Sequence, residues 1–474
     1  MVSPPWAGAS SDEQYFVLLT GANSGVGLGI GQRIIDEFLS SRSLSSHLIL
    51  IPTTRTAKKS RDTILALRAH LEKTAHSSPQ LLSRVGPDYD PQITISRVHV
   101  LSLQLDLCDL RSVYAAADQL VHSKLTDPTG QIQDVSIPRL DAAIFNAGIG
   151  GWEGLDWLKF AGQFISVGLV QSTTFPVFKK ALPAAILDQQ KLLGPGLDGS
   201  SSTLKDPPAL AEVFCANVFG HYVLAHELLP LLARSTPNEA PARVIWTSSI
   251  DAGHEHLSLP DFQATRSRPP YESSKRITDL LALTADLPSV RPISTAYFSP
   301  PSSSSSPTIV KPRFYLSHPG IVCTPLFPLN ALLFFCYWVV MYVSRWLGSP
   351  WHPVEPYGGA AAPAWLALES QPALDALRAD RAKWGSSTDR SGHPAPKRTE
   401  VEGWGWEGEI EDARADDAPG VLSKAKGRKW DAVALTKEAR ESFEDDGRRC
   451  WEELERLRGA WEAALGRRHV KGKA

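Results

Sequence analysis

The stretch YESSK, Tyr271 to Lys275, follows a proline pair and opens a helical pattern. Its phenol and ammonium stand four residues apart and share a helix face. A phenol with a pKa near ~10 is a sluggish proton donor at neutral pH. A neighbouring ammonium favours the phenolate and draws that value toward the working range. Polar pairs at this spacing also decorate exposed helices, so the chemistry depends on what else converges there. Ser248 and Ser249 close a β-rich run just upstream, and either hydroxyl could hydrogen-bond a substrate oxygen.

Near the start of the chain, TGANSGVGLGIG places Gly21, Gly25 and Gly27 in a GxxxGxG pattern between a strand and a helix, with Thr20, Asn23, Ser24 and Val26 filling the turn. Missing Cβ atoms let backbone N–H groups approach a pyrophosphate, and the helix N-terminus adds its positive end. A close-packing turn, or a small-residue contact through Gly25 and Gly29, is the plainer reading. The order strand, turn, amphipathic helix is what a dinucleotide site requires. Where the second strand ends, an acid would select NAD and a base NADP. IPTTRTAKKSR offers Arg55, Lys58, Lys59 and Arg61, and no acid occurs between Glu37 and Asp62, which points to NADPH. Arg55 is near enough to the strand end to act. Asp106 and Leu107 close a third strand where an adenine would lie, and Asn146, Ala147 and Gly148 close a fourth at the same ligand-binding edge.

These residues need a scaffold that brings strand ends together. Apolar, β-rich runs at 15–20, 47–51, 98–107, 140–148, 242–249 and 313–320 alternate with helical patterns. Buried strands separated by helices predict an α/β, Rossmann-like, doubly wound parallel sheet. Residues 77–96, 186–210 and 299–307 are rich in Pro, Ser, Gly and Asp and read as surface insertions. The expected organisation is a tail (1–13), a Rossmann domain with insertions (14–325), an apolar segment (326–348) and a C-terminal extension (349–474). The extension ends in a helix from about Thr436, with Trp451, Leu454, Leu457, Trp461 and Leu465 on one face that should pack onto the main domain.

With 474 residues and a formal charge of −2, the chain has no dense basic block, which argues against nucleic acid as a partner. Cys108, Cys215, Cys323, Cys336 and Cys450 lie far apart without metal-binding spacing, so no metal site or disulfide framework is expected. His254 and His256 read as loop residues, because no ligand set completes them. No secretory signal precedes the first strand, so the catalytic part should face the cytosol.

Taken in order, TGxxxGxG, NAG, Asn217 in NVFGHY, the serine pair and YxxxK resemble the short-chain dehydrogenase/reductase family over residues 14–325. The resemblance implies a catalytic set of Asn217, Ser249, Tyr271 and Lys275. Tyr271 would donate the proton, Ser249 hold the substrate oxygen, Lys275 hold the nicotinamide ribose and Asn217 hold a water. HPGIVCT resembles the family's PG motif, implying that Pro319 and Gly320 shape a loop and Thr324 touches the carboxamide. The interval from Ser249 to Tyr271 is longer than is usual in the family, which leaves Ser248 against Ser249 open and predicts a loop beside the substrate mouth.

The Trp- and Phe-containing excursion at 148–181, the apolar segment after PG and the closing WEELE look like the 3-ketosteroid reductases of sterol C4 demethylation. That likeness implies a sterol substrate, the other enzymes and scaffold of a demethylation complex as partners, and an endoplasmic reticulum membrane location, cytosolic face, with lipid droplets as a second site. A reductase of another lipid ketone, or a non-catalytic cofactor-binding scaffold, would share much of the pattern. Residues 326–348 contain a thirteen-residue uninterrupted apolar run, Ala331 to Val343. It suits an interfacial anchor or a buried substrate flap, with Phe334, Trp338 and Met341 expected at the membrane in the first case.

Overall fold

The computed structural model describes residues 3–188, 193, 207–267, 269–299, 310–324, 329–410 and 426–467. The sequence segments 300–307 and 326–328, and most of 189–206, lie outside these. One nine-stranded sheet organises the chain. Its main strands are β1 (Gln14–Leu19), β2 (His47–Thr54), β3 (Val98–Val100), β4 (Ala142–Phe145), β7 (Arg243–Thr247), β8 (Arg313–His318), β9 (Lys383–Thr388) and β10 (Pro394–Thr399). A small hairpin outside the sheet supplies β5 (Trp152–Leu155) and β6 (Lys179–Ala181).

The order across the sheet is β10-β9-β8-β7-β4-β1-β2-β3, parallel throughout except for antiparallel β10, with Leu103–Gln104 pairing along β2. All six runs read as strands lie in it. Alternation along β1 sends Phe16 and Leu18 into one core and Val17 and Leu19 into the other, so both faces are covered. Helices α1 (Gly25–Ser41), α2 (Ala57–Ser77) and α8 (Ala361–Leu368) supply one layer. The other layer includes α3 (Leu110–His122), α5 (Gly220–Glu227) and α6 (Pro270–Thr284). The chain reverses its winding between β1 and β4, which opens a crevice at their carboxyl ends.

The sheet does not stop at residue 325. β9 and β10 come from the region read as an extension, and β9 pairs in parallel with β8. Their composition hides them, because Lys383, Ser386, Ser387 and Thr388 are buried polar residues rather than an apolar run. Helix α9 (Lys437–Ala464) begins at Thr436, whose hydroxyl caps it, and buries Trp451, Leu454, Leu457 and Trp461 as the spacing predicts. It presses on α6 so closely that a Cβ at Gly447 would lie 2.5 Å from Thr284 Cγ2.

The excursion after β4 forms the β5–β6 hairpin around α4 (Trp157–Thr174), which breaks at Gly168, a residue with φ of 78°. The apolar segment becomes α7 (Ala331–Trp346), capped by Asn330. Thr173 of α4 meets Ser344 of α7 through hydroxyls 3.0 Å apart. Among the described residues no helix is long and apolar enough to cross a membrane. Met341, expected at a membrane, instead sits in a small core with Cys323 and Val354, because it lies on the face that α7 turns toward the protein.

Candidate active site

The glycine turn has the shape its spacing requires. Gly21 (φ 67°) and Gly25 (φ 52°) adopt left-handed backbone that favours glycine. A Cβ on Gly21 would strike Ala147 Cα at 2.8 Å, and one on Gly27 would strike the Gly21 carbonyl oxygen at 2.1 Å. Gly29 answers to packing, since its Cβ would meet the Pro356 carbonyl oxygen at 2.5 Å. Thr324 stands over the turn, 3.3 Å from where a Gly25 Cβ would be, so the PG loop and the glycine turn face one another. The PG turn is held from behind. Gly320 (φ 69°) has no room for a Cβ beside the Ser386 carbonyl of β9, and its N–H donates to His318 Nδ1 at 3.1 Å.

Buried Thr20 ties β1 to β4. Its hydroxyl oxygen accepts from the N–H groups of Asn146 (3.0 Å) and Ala147 (3.1 Å) and lies 2.9 Å from His221 Nε2. The Asn146 amide donates to the Thr20 carbonyl at 3.2 Å, so Asn146 is a clamp on the turn. Asn217 lies in a π-turn, Cys215–Phe219, a distortion that recurs at functional sites. Its side-chain oxygen accepts from Ile149 N–H at 2.8 Å, and its amide donates to Ile149 O (3.1 Å) and Ser274 Oγ (2.9 Å). The side chain therefore fixes the strand end around Gly148, where an added Cβ would sit 2.8 Å from Asn217 Oδ1 and 3.9 Å from Lys275 Nζ.

Arg55 follows β2 directly and is exposed, as are Lys58 and Lys59 beside it. Asp106 lies at the neighbouring strand end, with its carboxylate accepting from Cys108 N–H at 3.0 Å. Burial pushes the Cys108 thiol up to about 12, Asp106 pushes the same way and Arg55 opposes, which places both charges around that thiol. Leu107 is buried next to them.

Ser248 and Ser249 separate cleanly. Ser248 is buried away from the crevice and donates to Asp279 Oδ1 at 2.5 Å. Ser249 accepts from Asp251 N–H at 3.2 Å, and its hydroxyl lies near enough to the Tyr271 phenol to favour the phenolate. Lys275 donates to the Thr247 carbonyl at 2.8 Å, with its ammonium 5.4 Å from the Tyr271 ring centroid. Burial lowers Lys275 to about 8, Asp279 opposes that, and Lys383 adds to it. Tyr271 is itself raised to about 12, burial being the main cause.

Several neighbours of Tyr271 carry no motif. Trp152 of β5 packs its ring 4.5 Å from the Tyr271 ring. Lys179 of β6 pairs with Asp251 and Glu272. His256 comes within 3.6 Å of Asp251, so the long loop after Ser249 does lie beside the phenol. These neighbours come from segments far apart in the chain, and of them only Glu272 adjoins Tyr271 in the sequence. A cavity of about 360 Å³ opens behind α6, lined by residues such as Asp251, His254, Lys383 and Arg428, but Ser249, Tyr271 and Lys275 do not line it.

No protein-family model matches the chain. The 3-keto-steroid reductase of Gibberella zeae is 51% identical over 471 residues, covering 98% of this chain and 97% of that protein. The corresponding enzyme of Aspergillus fumigatus is 39% identical over 97% of this chain and 96% of its own length. That of Saccharomyces cerevisiae is 24% identical over 81% of this chain and 89% of its own. Among solved structures, L-sorbose reductase from Gluconobacter frateurii, complexed with NADPH and L-sorbose, matches at a TM-score of 0.37 and 14% identity, covering 76% of this chain and 91% of that one. The fold assignment rests on the strand order and the site on its own geometry. With both in place, identity sustained over nearly the whole length decides the family: the chain belongs to the 3-keto-steroid reductases.

Proposed function

We propose that this protein reduces the 3-keto group of a sterol intermediate of C4 demethylation to the 3β-alcohol, using NADPH. The observation that carries the reading is the convergence of Ser249, Tyr271 and Lys275 on the crevice beside the glycine turn. The turn fits a dinucleotide, because the left-handed backbone at Gly21 and Gly25 makes the tight strand-to-helix turn that aims the first N–H groups of α1 at the crevice. Thr20, Gly21, Ser24, Gly25 and the first N–H groups of α1 would hold the pyrophosphate, with Arg55 at the 2′-phosphate and Asp106 and Leu107 at the adenine. Lys275 would reach the nicotinamide ribose, and Thr324 the carboxamide.

When bound, NADPH supplies the hydride for the carbonyl carbon. The chain's own work is at the oxygen. Ser249 orients it, and Tyr271 gives up its proton as negative charge develops there. Burial keeps the phenol protonated, and the nearby Ser249 hydroxyl favours the phenolate left behind. Asn217 holds the loop on which this geometry depends.

Purified protein supplied with a 3-keto sterol and NADPH should yield the 3β-alcohol by mass spectrometry. An unreacted sterol alongside reduction of some other lipid ketone would replace this reading. Arg55→Glu should raise the KM for NADPH strongly and that for NADH less, and equal use of both cofactors by the wild type would sink the NADPH assignment.

We also propose that the protein works on a membrane surface, the cytosolic face of the endoplasmic reticulum with lipid droplets as a second site, where it would meet the other enzymes of the demethylation complex. Support comes from α4 and α7, which leave Leu158 (88% exposed), Ile165 (83%), Leu332 (72%) and Phe335 (59%) in the open. Apolar side chains grouped on packed helices suit an interfacial contact. Glutamates at Leu332, Phe335 and Trp338 should abolish co-flotation with phospholipid vesicles while NADPH binding persists. Unchanged flotation would count against the surface.

A further inference from the structure

Two features set this chain apart from a compact Rossmann enzyme, and they meet at one point. The β5–α4–β6 excursion delivers Lys179 and Trp152, and the long loop after Ser249 delivers Asp251 and His256. Lys179 Nζ lies 2.5 Å from Asp251 Oδ2 and forms a second ion pair with Glu272, the neighbour of Tyr271. It also stands 5.1 Å from the centroid of the Trp152 ring, which packs on Tyr271, and Trp152 Nε1 donates to Glu272 Oε1 at 3.2 Å. Lys179 and Asp251 are largely enclosed and Glu272 is only 1% exposed.

Stability alone is a poor reason to assemble such a group, because desolvating three ions offsets most of their attraction. Its position offers another. We propose that Lys179 is a positioning residue for the proton donor: clamped by Asp251 and Glu272, it holds Trp152 against Tyr271 and supplies positive charge to the phenol from β6. The inference rests on the reading of Tyr271 as the proton donor of a carbonyl reduction.

The charges around the phenol favour it. Burial raises Tyr271, Lys179 is the strongest influence drawing it back, and Glu272 and Asp251 push it up again. Lys275, one turn along α6, gives its ammonium to the Thr247 carbonyl. His256, held above its ordinary range by Asp251 against the effect of burial, adds a partial positive charge on the far side of that carboxylate, and Glu255 lies 3.6 Å from it. Removing Lys179 would leave two carboxylates beside the phenol, whereas neutralising Glu272 would leave Lys179 balanced by Asp251 alone and take away a negative charge that raises the phenol.

The test compares Lys179→Met, Lys179→Arg and Glu272→Gln with the wild type. Tyr271 is followed in two ways. One is tyrosinate absorbance, taken as the difference between each protein and the same protein carrying Tyr271→Phe. The other is the rising limb of the pH profile for NADP⁺-dependent oxidation of a 3β-hydroxysterol, where the phenolate is the base. Lys179→Met should move both to higher pH by about one unit, a tenfold change in proton activity. Lys179→Arg should restore them close to the wild-type position, and Glu272→Gln should move them down. Coincident titrations in Lys179→Met and wild type would overturn the proposal, as would loss of activity in Lys179→Met with an unmoved limb. Should Lys179→Met fail to fold, an unmoved Tyr271 in Glu272→Gln overturns it instead. A wild type that leaves 3-keto sterols unreduced would remove the functional reading, while the tyrosinate titration still decides the role of Lys179.

Discussion

Tyr271→Phe is expected to lower kcat by roughly 10²–10⁴, the usual worth of a positioned general acid. The substitution keeps the ring that packs 4.5 Å from Trp152 and removes only the hydroxyl, which lies near Ser249. Packing in α6 and the glycine turn should therefore survive, and the NADPH Kd should stay near the wild-type value. Burst measurements of alcohol formation, beside fluorescence titration of NADPH, separate the two quantities. Near-normal turnover would remove Tyr271 from the role of proton donor. Loss of NADPH binding would instead mean that the phenol organises the cofactor crevice.

Lys383→Met should destabilise the protein by about 3–5 kcal/mol, the range seen when one partner of a buried ion pair is removed. Lys383 Nζ lies 2.7 Å from Asp279 Oδ2, and the two side chains are 2% and 1% exposed. Asp279 also takes the hydroxyl of Ser248, so the lost ammonium leaves a buried carboxylate with one neutral donor and the cations of Lys275 and Arg276, neither of which is hydrogen-bonded to it. Urea denaturation at neutral pH measures the loss. The double variant Asp279→Asn with Lys383→Met should recover part of it, since no charge is then stranded. A single variant within about 1 kcal/mol of wild type would show that Lys275 and Arg276 replace Lys383 as counterions.

Much of this site can be read from the chain. The apolar strand runs and the order of glycine turn, NAG, Asn217, serine pair and YxxxK place each motif at one sheet edge, where Thr20, Asn146, Asn217 and Tyr271 are found. The packing of α9 follows from its apolar spacing. What escaped reading has a common cause, which is burial satisfied by polar bonds rather than by apolar composition. In β9, Ser386 donates to the Gly359 carbonyl and accepts from Ala362 N–H, and Ser387 donates to the Ala395 carbonyl, so the strand carries no hydrophobic signal. Ser248 and Ser249 are alike until Asp279 claims one of them. Lys179 belongs to no motif, because its meaning comes from two insertions that touch only in the folded chain.

The late entry of β9 into the sheet bears on how the molecule is made. Asp279 and Lys383 are 104 residues apart in sequence, so a ribosome has finished the catalytic helix long before its counterion exists. Until residues 383–388 arrive, the outer edge of β8 presents unpaired backbone groups that could template pairing with another chain. Long-range parallel pairing is also slow to form. The nascent protein thus passes through a stage in which its cofactor turn can be assembled while its sheet is unfinished, the stage at which chaperone capture or misassembly would be concentrated.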